Sequence, residues 1–138
     1  MKTLTGIGLA LLLLVPGARA DTSAYAAIVK EREAVLVQIV TQVESRHALG
    51  AVSDEALYGA KLALHSFRRD TAPAVADKVR HQQEIVALQQ QQLDALQARA
   101  RAGTTDSLEK LRATDALLAA KQELEELKAL VASPAGRQ

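Results

Sequence analysis

The sequence has no cysteine or tryptophan, one phenylalanine and two tyrosines, and its 138 residues include only three prolines and seven glycines. Without cysteine there is no disulfide and no thiolate, so stability must come from packing alone. Three aromatics give no platform for stacking bases, and interspersed charges of both signs give no field that would gather phosphates, so a nucleic-acid partner is not expected. The scarcity of glycine and proline removes the punctuation that strands and tight hairpins require.

The chemistry of catalysis is missing as well. No serine, histidine and acid stand with a glycine-rich elbow, and no phosphate loop occurs. Neighbouring carboxylates such as Asp54-Glu55 and Glu125-Glu126 point apart on a helix, as a solvated face would. No enzymatic activity, cofactor or metal is expected. His47, His65 and His81 are never three or four residues apart, so no single helix presents a histidine pair to a metal. His81 with Asp77 is one i, i+4 pair, and the imidazoles are expected on solvated polar faces.

What is present begins with a targeting pattern. Met1-Lys2-Thr3 is a short basic start, Leu4 to Val15 is apolar, and Pro16-Gly17-Ala18-Arg19-Ala20 ends in A-x-A. This reads as a signal peptide over residues 1–20, cleaved near Ala20, because the apolar run is shorter than the roughly 20 residues that span a bilayer. Removing Lys2 and Arg19 leaves fifteen basic against sixteen acidic side chains, so the remaining chain has a formal charge near −1. A periplasmic or secreted location follows as the expectation.

From Asp21 onward Ala, Leu, Gln, Glu, Lys and Arg dominate, which are strong helix formers, and the fold class is all-α. A first helix is predicted from Thr22 to Leu49, burying Ile28, Val29, Val35, Leu36, Ile39, Val40 and Val43, with Gly50 as its stop. Ser53 or Asp54 caps a second helix that carries Leu57, Ala60, Leu64 and Phe67 on one face.

At Pro73 the chain either breaks, with Thr71 capping a new helix, or kinks; the cap residues Asp70 and Thr71 favour a break. The third helix runs to about Ala102, with Val75, Val79, Val86, Leu93, Leu96 and Ala100 on a stripe interrupted by Gln82 and Gln89. Gly103 stops it. Asp106-Ser107-Leu108-Glu109, a capping-box variant, starts a fourth helix whose seam is Ala113, Leu117, Ala120, Leu124, Leu127 and Val131, with Lys121 and Glu125 able to pair. Helices of about 40 Å, at 1.5 Å per residue, must pack side by side.

The predicted architecture is therefore two antiparallel helical hairpins, about 22–70 and 73–132, within a helical domain 21–132, forming a four-helix bundle or an elongated coiled-coil arrangement. Residues 133–138 are expected to be a flexible tail.

A repeat runs through both hairpins. With an offset of 53 residues, Val40 falls on Leu93, Val43 on Leu96, Arg46 on Arg99, Gly50 on Gly103, Ser53 on Asp106, Ala60 on Ala113 and Leu64 on Leu117. Such a repeat is the mark of a duplicated supersecondary unit. Gly50, Gly103, Pro73 and Asp106 are the turn positions. Arg46, Arg99 and Arg101, close to the hairpin tips, are candidates for contact with a partner, with capping of helix C-termini as the other role open to them.

The stretch Leu96-Gln97-Ala98-Arg99-Ala100-Arg101-Ala102-Gly103, followed by Glu109, Leu111, Ala113, Leu117, Leu118 and Ala120-Lys121-Gln122-Glu123-Leu124, resembles the coiled-coil hairpin of the outer-membrane efflux protein (TolC-like) family. The likeness covers roughly residues 82–127 and, more weakly, 36–69. Glu109 stands where the family has Asp, and Lys110 where it has an apolar residue. Complete members carry membrane-spanning β-strands between their hairpins, for which this chain has no room. The resemblance implies a hairpin geometry, a periplasmic location and packing on other long helices, in the chain itself or in envelope efflux components. The expected function is accordingly that of an exported, non-enzymatic helical interaction protein. The alternative is a small periplasmic stress chaperone or metal-responsive helical protein.

Overall fold

The computed structural model describes residues 18–104 and 106–133, with side chains from Thr22 onward. Among the described residues there are four helices and no strand: α1 (Ala18–Ala48), α2 (Asp54–Thr71), α3 (Val75–Arg101) and α4 (Ser107–Ala132). The chain is all-α. Most of the expected signal peptide, residues 1–17, and the tail beyond Ser133 lie outside the described residues. Helix α1 starts at Ala18, ahead of the expected Thr22, and passes through Ala20.

Two of the three connections share one geometry. Gly50 has φ 69° and Gly103 φ 75°, the left-handed conformation that glycine adopts without a Cβ penalty. At the first, Gly50 N–H donates to His47 O (2.8 Å) and Ala51 N–H to Arg46 O (2.9 Å). At the second, Gly103 N–H donates to Ala100 O (3.0 Å) and Thr104 N–H to Arg99 O (3.1 Å). Both are Schellman closures, which satisfy the last carbonyls of α1 and α3. Each is followed by an N-cap at the same distance: Ser53 Oγ accepts from Ala56 N–H, and the Asp106 carboxylate from Leu108 N–H.

The third connection departs from expectation. The chain does break at Pro73, but Thr71 closes α2 instead of capping α3, its hydroxyl donating to Phe67 O at 2.8 Å. Ala72, the residue before proline, is extended (φ −65°, ψ 129°), because the proline ring disfavours helical backbone there. The N-cap of α3 is Ala74, which has no side chain able to accept a hydrogen bond.

Backbone contacts among the described residues join consecutive helices only, so the four lie in an open row in which α1 and α4 do not meet. Helix α3 serves two neighbours with two adjacent stripes. Gln82, Val86, Leu93 and Leu96 face α4, where Leu93 and Leu96 pack with Ala113 and Leu117 as the core. His81, Gln92, Ala95 and Arg99 face α2. Ile85 and Leu88, which the expected stripe omitted, are buried as well, because α3 is covered on two sides.

Helix α1 is covered on one side. Its half-buried residues are Val29, Glu33, Leu36, Val40, Val43 and His47. Each lies 53 positions before a member of the α4-facing heptad stripe of α3, so the repeat holds in three dimensions. Ile28, Val35 and Ile39, expected to be buried, are exposed, since none of the described residues packs on α1 opposite α2. The α4 seam is buried from Ala113 to Leu124 but open at Val131, which lies beyond the start of α3 at Val75, while Glu125 pairs with Lys128 in place of Lys121.

Candidate functional site

The two glycine turns lie at the same end of the row, because α1 and α3 run in one direction and α2 and α4 in the other. There the sequence-predicted arginines part company. Arg99 reaches Glu109 (3.6 Å) and, with Asp54, Glu55 and Tyr58 of α2, lines a small crevice between the two hairpins. The side chains of Arg46 and Arg101 make no hydrogen bond or ion pair with the described residues, and all three arginines are exposed. Arg46 and Arg99 also lend their carbonyls to the Schellman closures. His47, one turn before Gly50, bonds Asp54 at 2.6 Å and ties α1 to α2 across the tip.

Toward the other end a polar network crosses three helices. The Arg69 guanidinium donates to Gln82 (2.9 Å), Glu123 (2.7 Å) and Asp70 (2.8 Å). Gln82 has no exposed surface, and its amide donates to the Ala120 carbonyl at 2.8 Å. Arg68 bonds Glu33 of α1 at 2.8 Å. The Arg68-Arg69 pair is thus bound inside the fold, where guanidinium geometry suits several acceptors at once. Its sequence signal as a helix-terminal basic pair concealed this role.

The histidines also depart from their expected solvated faces. His65 of α2 and His81 of α3 meet with ring centroids 5.8 Å apart, tilted by 47°. The Nδ1 atom of each is buried without a hydrogen-bond partner. Burial holds both imidazoles below their ordinary pKa. For His65 the effect is reinforced by His81, Arg68 and Lys61 against Glu84, and for His81 by Arg80 and Arg68 against Asp77 and Glu33. Both are therefore biased toward the neutral form. Only the spatial meeting of α2 and α3 reveals this pair, since the two residues sit on different helices.

Among the described residues no three histidine or acidic side chains gather as metal ligands would, and no helix is long and apolar enough to cross a membrane. The remaining feature of the surface is apolar. Tyr25, Ile28, Val35 and Ile39 on α1, and Leu108, Leu111, Leu118 and Leu130 on α4, are all exposed, so the large solvent-facing side chains concentrate on the two outer helices. Comparison of the chain with family models, curated proteins and solved structures gives no match.

Proposed function

We propose that this chain is an exported, non-enzymatic helical protein that works by packing its outer helices against other helices. The observation that carries this reading is the exposure of large apolar side chains along α1 and α4, the two helices with a single neighbour. Apolar patches of this kind on an otherwise polar surface mark sites of association. Export to the periplasm, or secretion, is supported by the basic start, short apolar run and A-x-A of residues 1–20. The resemblance of residues 82–127 to an efflux-protein hairpin supports an envelope partner, efflux machinery included.

Sedimentation of the purified protein together with cross-linking in the envelope tests this reading. Self-association, or capture of a defined envelope protein, is the expected result. A monomer at high concentration that captures nothing overturns it.

A second reading has its own observation. Tyr25, Ile28 and Leu36 of α1, with Phe67 of α2, line an open groove that an extended apolar segment of an unfolded client would fit. A stress chaperone of this kind would suppress client aggregation in vitro.

A further inference from the structure

The 53-residue repeat that equates α1 with α3 and α2 with α4 also equates their uncovered faces. On α3 the stripe that meets α2 includes His81, Leu88 and Gln92; the equivalent α1 residues are Ile28, Val35 and Ile39. On α2 the side chains that meet α3 include Glu55, Tyr58 and His65; the equivalent α4 residues are Leu108, Leu111 and Leu118. All six equivalents are exposed, with Ile28 at 62%, Leu118 at 59% and Leu111 at 65% of full accessibility. The join between the two hairpins within one chain is thus matched, residue for residue, by two complementary edges left open at its ends.

We propose that α4 of one copy packs on α1 of a second copy in the manner of α2 on α3, so that hairpins continue from chain to chain in one unbroken row. Leu118 then meets Ile28 of the next copy, where within the chain His65 meets His81. Mainly polar partners at the internal join are replaced by aliphatic ones at the outer edges, which suits an interface whose halves must find each other from solution.

Because the two edges differ, the contact is head-to-tail and produces either closed rings or open rows.

This inference rests on the reading of the chain as a helix-packing protein and adds its partner. The absence of native cysteine makes the test direct. Ile28→Cys and Leu118→Cys variants, of unchanged helicity by circular dichroism, are treated with a short bis-maleimide singly, mixed, and combined in one chain. The mixture should give a dimer at least tenfold above a control pairing Val37→Cys with Leu118→Cys, and the double variant should give a ladder or a closed ring.

Each single variant alone should stay uncross-linked. Self-linking of Ile28→Cys would mean a two-fold interface and overturn the proposal, as would a mixture no better than the control. Envelope capture by the wild-type protein in that case would leave the broader reading standing.

Discussion

Gln82 accepts a hydrogen bond from Arg69 at 2.9 Å while its own amide donates to the Ala120 carbonyl at 2.8 Å, so one side chain with no exposed surface joins α2, α3 and α4. A buried amide is stabilising only while its partners remain, and an unmet one costs its desolvation. Gln82→Ala, which leaves a cavity and removes both bonds, should lower the unfolding free energy by about 2 kcal/mol or more in urea titration. Gln82→Leu should cost less, because it fills the space and Arg69 keeps Asp70 and Glu123.

The His65–His81 contact sets a pH dependence. Both folded-state pKa values lie below the ordinary value of 6.5, so the unfolded chain binds more protons as pH falls. Their contribution to stability is complete above about pH 6.5 and is lost as pH drops through the folded-state values. The melting temperature should therefore be lower at pH 5.5 than at pH 7.5. His65→Gln combined with His81→Gln should flatten that slope, which thermal scans at the two pH values would reveal.

Three glycines separate conformational from steric effects, since an added Cβ would meet nothing within 4 Å at any of them. Gly50→Ala and Gly103→Ala force a side chain into the left-handed region and should each destabilise by about 1 kcal/mol. Gly59→Ala, inside α2, should stabilise by about 0.5–1 kcal/mol through higher helix propensity. Chemical denaturation of the three variants should show opposite signs.

Equivalent positions of the repeat should differ in energetic weight. Leu96, 2% exposed between two neighbours, lies in the core, whereas its equivalent Val43 is half-buried on an outer helix. Leu96→Ala should cost about 3 kcal/mol, and Val43→Ala about 1 kcal/mol, with the denaturation midpoints giving the comparison.

How much of this was legible in the sequence follows from the range of each interaction. Gly50, Gly103, Ser53 and Asp106 announce helix ends within four residues, and all four act at the ends expected of them. Thr71 misled because two local roles compete: its hydroxyl bonds the preceding turn while proline alone ends the helix. Apolar periodicity identified the stripe on α1 but not how many helices would cover it, so Ile28, Val35 and Ile39 were expected inside.

The same limit applied to the polar network. Arg69 and Glu123 are 54 residues apart, and their pairing depends on which helices become neighbours. The exposure of Arg46 and Arg101 at the tip is compatible with partner contact, while the closure that surrounds Gly50 uses the backbone of Arg46.

The open row has a consequence for how the molecule comes apart. With backbone contacts only between successive helices, and the Arg69–Glu123 pair alone reaching from α2 to α4, cooperativity passes mainly through nearest neighbours, and among the described residues α1 and α4 make no closing contact. Helix α1, which has no buried side chain among its described residues, should exchange its amide hydrogens first, and the α3·α4 hairpin last. The backbone interfaces all join helices that are consecutive in sequence, so folding resembles a zipper starting at the Leu96 core and running outward. Capping α1 with another helix would turn the fraying end into an interior one.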